Sequence, residues 1–346
     1  MKRFSTCLSL VLLVADVPME AFAMESPPTP EPVGQTAVPG SQPRQLDTIV
    51  VSGSAAGPGM WKISKGDHVL WVLGTAPVLP SGVEWKGDKV RVVLEQADAV
   101  LREPGVSVGA DVGLFRGLLM LPSAMRAIKN PDGKTLREVL PAPTYARWAV
   151  LKQRYIGRDG GVEKKRPLFA AEELYSEAIK RSGFGGDTVS RMVDEVMKRR
   201  KMKRTPTDLN ITIKDPKAAI ADFRKESFGP EEQVCLTRTM DAVENDLPRM
   251  IRYANAWAIG DMEILRAMSL TDRSACWTAW ANTDAARKRG ANDIEARIRG
   301  KWLEVAETEL AKNKVTFAML PMPELLSENG YLASLRAKGY AVEDPL

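Results

Sequence analysis

From Trp61 onward the hydrophobic positions gather into two short β-type runs, Trp61-Lys62-Ile63-Ser64 and His68-Val69-Leu70-Trp71-Val72-Leu73, separated by Lys65-Gly66-Asp67. Such runs around a glycine-containing turn predict a hairpin. The second run is almost wholly apolar, as a strand covered on both faces must be. Gly74-Thr75-Ala76-Pro77 ends it, a helical pattern occupies residues 86–97, and Ala99 to Glu103 reads as another short strand, stopped by Pro104. From there to about residue 310 the spacing is mainly helical. Thr135-Leu136-Arg137-Glu138 forms a capping box after the turn Asn130-Pro131-Asp132-Gly133, because the Thr and Glu side chains each reach the other's backbone N–H. Pro167 opens a helix that runs to Arg181, with Gly183 as its stop. Val234, Leu236, Met240, Val243, Leu247, Ile251, Ala254 and Ala258 recur mostly three or four apart, the pattern of one long amphipathic helix, broken near Pro248. Gly260-Asp261 then reads as a stop followed at once by an N-cap. The chain closes on a strand from Val315 to Leu320, a helix from Tyr331 to Lys338, and a strand from Tyr340 to Val342. Strands at both ends enclosing many helices predict an α/β domain over residues 60–346, with a mixed central β-sheet flanked by helices.

The pattern before Trp61 differs. Lys2 and Arg3 precede a short apolar stretch from Phe4 to Val17, and Ala21-Phe22-Ala23 sets small residues at a cleavage site. Residues 1–23 are therefore expected to be a signal peptide cleaved near Ala23, leaving a periplasmic or secreted protein. Residues 24–59 read as a linker, rich in proline and glycine, that can bury little. Within it Leu46-Asp47-Thr48-Ile49-Val50-Val51-Ser52-Gly53 is β-prone and loosely resembles the segment that opens the plug of TonB-dependent receptors. No barrel-length series of alternating strands follows it, so a strand or ordered linker is the better reading.

Composition narrows the chemistry. The 346 residues carry 49 Lys and Arg against 44 Asp and Glu, a net +5. The expected leader holds two of each sign, so its removal changes nothing. Mixed charge of this size favours solubility and says little about a partner. No later stretch is apolar and long enough to cross a membrane. Of three cysteines, Cys7 lies in the leader, and the pair Cys235 and Cys276 is expected to form a disulfide in an oxidising compartment, in preference to a reactive thiol or a metal site. There is one histidine, His68, beside the hairpin turn and expected on the surface. Serine–histidine hydrolysis therefore has no base unless His68 supplies it. Gly133-Lys134-Thr135 resembles the end of a phosphate loop, but Ile128 stands where the first glycine is needed. Lys198-Arg199-Arg200-Lys201, with Lys203 and Arg204, is a basic cluster without interleaved aromatics. It reads as a solvated helix end and predicts no nucleic-acid partner.

Trp61 to Thr75, Val78-Leu79-Pro80 and Ala97-Asp98-Ala99-Val100-Leu101-Arg102-Glu103 resemble the opening of the TraB/GumN family, which is related to the Tiki-type metalloproteases. Near the other end, Phe317 to Tyr340 is similar to the second signature of that family. Cys235-Leu236, the turn from Asn255 to Asp261, and Cys276 resemble its bacterial GumN-type members. The resemblance implies two G-x-x-H motifs whose histidines hold a divalent metal beside a glutamate. In this chain the first motif is Gly74-Thr75-Ala76-Pro77 and the second is Pro321-Met322-Pro323-Glu324, so Pro77 and Glu324 stand where the histidines should. Proline offers a metal no donor. His68 lies nine residues before Pro77, roughly 30 Å along a strand, and cannot substitute. Glu103 occupies the position of the family's glutamate and Arg299 that of its arginine. The expectation is a degenerate member with no metal or other cofactor, acting as a non-catalytic binding or accessory module. The alternatives are a hydrolase or peptidase that holds a hard cation through Glu103 and Glu324, and an envelope interaction protein tethered by its proline-rich arm. The partner would be an envelope protein, a peptide or a polysaccharide, and the oligomeric state stays open.

Overall fold

The apolar run after the first turn does form a covered strand. In the computed structural model, which describes residues 57–345 apart from 111–113, 187, 227–228, 269 and 272–273, β1 (Met60–Lys65) and β2 (His68–Thr75) make an antiparallel hairpin. The expected signal peptide, the β-prone segment 46–53 and nearly all of the linker lie outside the described residues. Gly66 turns the hairpin at φ +64°, a backbone region that costs glycine nothing. β3 (Ala99–Leu101), β4 (Val106–Ala110), β5 (Arg204–Thr205), β6 (Leu209–Ile213), β7 (Val315–Pro321) and β8 (Ala341–Glu343) follow in the chain. The main sheet has the order β5-β3-β7-β2-β1-β8. β5, β3, β7 and β2 run parallel, and β1 is antiparallel to both β2 and β8. This is the mixed sheet of an α/β domain.

β7 is buried along its length except at its two ends, which is why Phe317, Ala318, Met319 and Leu320 are all apolar. Helix α1 (Asp88–Gln96) contributes Val90, Val93 and Leu94 to the core around this sheet. The helices at 188–199, 250–259 and 294–312 add Val193, Trp257 and Trp302 to the same core. A second core gathers Leu136, Trp148, Leu174, Leu236 and Met240. The sulfurs of Cys235 and Cys276, 41 residues apart, lie at disulfide distance beside it, with their Cα atoms 4.4 Å apart. One turn before Cys235, Glu232 forms a buried ion pair with Arg166, whose guanidinium also donates to the carbonyls of Phe223 and Glu226 at 3.0 and 3.2 Å.

Three sequence expectations change. The stretch read as mainly helical contains β4 and β6, which pair in parallel as a separate two-stranded sheet, and β5, which extends the main sheet beside β3. Leu209-Asn210-Ile211-Thr212-Ile213 does alternate apolar with polar, and Ile211 enters a third small core with Ala286 and Ile294. The strand expected from Ala99 to Glu103 stops at Leu101. The basic cluster does more than sit in solvent: Lys198, Arg199, Lys201 and Lys203 are exposed, as expected, but part of the cluster also makes contacts. Arg200 donates to the carbonyls of Leu94 and Ala97 at 2.5 and 2.6 Å, closing the end of α1, while Arg199 pairs with Glu95 and Arg204 with Asp194. Elsewhere the local signals hold. The capping box at Thr135 and Glu138 is formed, and Gly260 adopts φ +75° as the helix stop before the Asp261 cap. The long amphipathic stretch is a helix over Pro230–Asp241 that passes through a π turn and a 3-10 turn at Pro248 into a helix over Met250–Ile259.

Candidate functional site

β2, β7 and β3 are parallel and adjacent, so their carboxyl ends open on one edge of the sheet, where α/β folds present their chemistry. The register sets Gly74 opposite Leu320 and Thr75 opposite Pro321. The two stretches singled out in the sequence, near opposite ends of the chain, are therefore laid side by side. Thr75 Oγ1 donates to Leu320 O at 3.2 Å and fastens them across the ladder.

Gly74 sits in a crowded place. A Cβ there would come 2.5 Å from Met322 Cε and 3.0 Å from the Trp61 ring. The carbonyl of Gly74 accepts a 2.7 Å hydrogen bond from the buried indole of Trp257, and the Trp85 and Trp257 rings sit 5.5 Å apart. Beyond β2, Pro77 is exposed. His68, at the opposite end of that strand, is half-buried rather than free on the surface. Its Nδ1 lies 2.9 Å from the carbonyl of Leu310, away from the motif edge.

On the β7 side, Pro321 leads into a short helix, Met322–Leu326, which carries Glu324 in its first turn. Arg299 reaches across from the 294–312 helix. Its Nη2 lies 4.0 Å from Glu324 Oε2, its Nη1 donates to Asn329 O at 2.9 Å, and its guanidinium stands 5.7 Å from the centre of the Tyr331 ring. Nε of Arg299 is shielded from water and has no hydrogen bond among the described residues. Tyr331 packs edge-on against Trp302 at 5.1 Å. Burial pushes its phenol up to about 12, with the Glu324 charge acting in the same direction. The turn back from this helix needs Gly330, where a Cβ would collide with the backbone oxygen of Glu324.

Glu103 is exposed just past β3, on the far side of β7 from Gly74. Its segment is fixed from below. Thr207, fully buried, donates to the carbonyls of Arg102 and Glu103 at 3.1 and 2.9 Å, and the Trp302 indole donates to Arg102 O at 3.2 Å.

The topology thus gathers Gly74, Thr75, Glu103, Arg299 and Glu324 along one edge, and within that set it brings Arg299 and Glu324 close together. Among the described residues, no three His, Cys, Asp or Glu side chains converge as a metal site requires. Trp257, Trp302, Tyr331 and Met322 also build this edge; the stretches that carry the family resemblance contain all but Trp302, but none of the four was singled out as a site residue. Their only signal was large side chains in or close to the motif stretches. The sequence profile of the TraB/PrgY/gumN family matches residues 59–344, from β1 to the last strand. The chain belongs to the TraB/PrgY/gumN family. No curated protein and no solved structure matches it. The two end stretches that carry the resemblance are, in this chain, the hairpin with β2 and the β7 unit, paired through the sheet.

Proposed function

We propose that this TraB/PrgY/gumN protein is an exported, non-catalytic binding or accessory module built on a metallohydrolase scaffold. One arrangement carries the reading. At the paired ends of β2 and β7, where the family resemblance implies two imidazoles on a metal, there is an Arg299–Glu324 pair at 4.0 Å, and Met322 packs against Gly74. These residues do not fit the group. Pro77 has no donor to offer, and the Glu324 carboxylate, which stands where the second imidazole should, faces the Arg299 guanidinium. An indole donating to the Gly74 carbonyl stiffens the edge further. What persists is a rigid, aromatic-backed rim with one arginine and two carboxylates, suited to recognition. An envelope protein, a peptide or a polysaccharide is the class of partner, and the proline-rich arm before β1 would act as a tether.

Export is supported by the leader pattern of residues 1–23 and by cysteines at disulfide distance, which belong in an oxidising compartment. The test uses protein recovered from the periplasm. Elemental analysis should find no stoichiometric transition metal, and calorimetric titration with zinc, manganese and calcium should show no tight site. A broad peptide library should stay uncut. One equivalent of tightly held metal, with turnover that disappears in Glu103→Ala, would overturn this reading in favour of a carboxylate-based hydrolase.

A further inference from the structure

Helix α2 (Leu114–Ala127) presents an apolar face to solvent. Leu118, Leu119, Leu121 and Met125 are 53, 81, 43 and 52% exposed, four of the seven large hydrophobic side chains so exposed among the described residues. At 100° per residue, Leu118, Leu121, Pro122 and Met125 fall on one side, with Leu119 at its margin, while Ala127 on the opposite side is buried. The helix packs against the helix Pro216–Lys225. A concentrated patch of this kind marks an interaction surface, since scattered exposed leucines need no explanation and clustered ones do.

Charge identifies the occupant. α2 carries Arg116 and Arg126 and no acidic residue. Arg126 and Lys129 are exposed at its carboxyl end, and a β-bridge sets Lys129 opposite Lys165, whose own charge is paired with Glu173, with exposed Lys164 adjoining. Exposed Lys214, just before the packed helix, and exposed Lys217, in its first turn, flank its capping residue Asp215. Among the described residues neither Arg126 nor Lys129 has a hydrogen-bonded or ionic side-chain partner. Asp132, in the following turn, is the nearest carboxylate in sequence on that side. A second copy is a poor occupant. Paired through a two-fold axis, α2 would meet no carboxylate on the opposing helix. At about 21 Å, α2 is too short to span a bilayer of about 30 Å. An apolar face rimmed by unpaired cations instead matches the headgroup boundary of an anionic membrane. We propose that α2 seats the protein on an anionic lipid surface, with Leu118, Leu119, Leu121 and Met125 inserted and Arg126 and Lys129 at the phosphates.

The test is sedimentation of the chain from Met24 onward, lacking the apolar leader, with vesicles of phosphatidylcholine alone or mixed with phosphatidylglycerol. The mixed vesicles should carry down the protein, and added salt should release part of it. Leu118→Gln with Leu119→Gln should weaken that partitioning by on the order of tenfold or more. Arg126→Gln with Lys129→Gln removes two charges and should weaken it by about 25-fold, at about fivefold for each charge removed. Val150→Gln with Val234→Gln alters exposed apolar residues elsewhere, 67 and 49% exposed, and should leave it unchanged. All these positions are exposed, so unchanged circular dichroism and unfolding midpoints will confirm intact folds. Absence of binding to the mixed vesicles overturns the proposal, as does equal binding by the α2 variants. Concentration-dependent self-association without lipid binding, abolished by the leucine variants, overturns it too and assigns the face to a second copy.

Discussion

Glu232→Leu strands a buried cation. The Arg166 and Glu232 side chains are 1 and 2% exposed, and Glu232 Oε1 accepts from Arg166 Nε at 2.9 Å, with Nη2 also donating to it. Leu168 N donates more weakly to the other oxygen at 3.4 Å. Removing one partner of a buried pair costs about 3–5 kcal/mol, because the remaining charge stays out of water. Arg166 would keep its bonds to the Phe223 and Glu226 carbonyls and its 4.3 Å contact with the Phe223 ring. The lower end, about 3 kcal/mol, is therefore expected. Glu232→Gln retains an acceptor and should cost about 1–2 kcal/mol. Arg166→Met with Glu232→Leu removes both charges and should stay within about 2 kcal/mol of the parent, well below the sum of the single changes. Urea melts followed by tryptophan fluorescence would measure this. With a slope of about 3 kcal/mol/M, Glu232→Leu should lower the midpoint by roughly 1 M. A shift below about 0.3 M, or a double variant as unstable as the two singles added, would refute the view that desolvated charge dominates here.

Three further outcomes are expected. Reducing the Cys235–Cys276 pair, or replacing both by serine, should cost about 4 kcal/mol on the chain-entropy model for its separation of 41 residues, read as a lower urea midpoint, and non-reduced peptide mass spectrometry of the exported protein should find the two cysteines linked. Gly330→Ala drives a Cβ into the backbone of Glu324 and should destabilise by about 3 kcal/mol, whereas Gly74→Ala meets mainly the flexible end of Met322 and should cost about 1 kcal/mol, compared by thermal melts. The phenols of Tyr253 and Tyr331 are pushed up to about 12 by burial, so the folded state prefers them neutral while the unfolded chain ionises them near 10. Stability they contribute is intact below pH 10 and should fall as pH rises from about 10 to 12, with these two phenols adding their tyrosinate absorbance only as the protein unfolds.

The sequence revealed most where a single residue type settles a local conformation. Gly260 with Asp261, Thr135 with Glu138, and Pro167 each set an element end that the structure keeps. The apolar density of β2 and β7 announced buried strands for the same reason. β5 and β4 went unread because a two-residue strand has no period and the Val106–Ala110 run contains a glycine. At the site, the family resemblance flagged Pro77, Glu103, Arg299 and Glu324 one by one. The opposition of Arg299 to Glu324 is a tertiary event, produced when the 294–312 helix folds back over β7, and no spacing along the chain encodes it. The role of Arg200 in closing α1 escaped for the same reason, since its partners are carbonyls 103 and 106 residues away.

The union of β2 with β7 bears on how the molecule comes into being. Thr75 meets the carbonyl of Leu320 across 245 residues, and Trp61 meets Asp344 across 283. A chain made from its amino terminus therefore exposes the apolar His68–Thr75 strand long before its central neighbour exists, leaving the hairpin with an unpaired inner edge. Loop closure over such distances is slow, and an open apolar strand is a template for wrong partners. Assembly of the main sheet must wait for the last thirty or so residues, so a chain cut short before β7 has no smaller version of this domain to adopt. Its route to the native state would then depend on a holding factor that shields β2 until the end of the chain arrives.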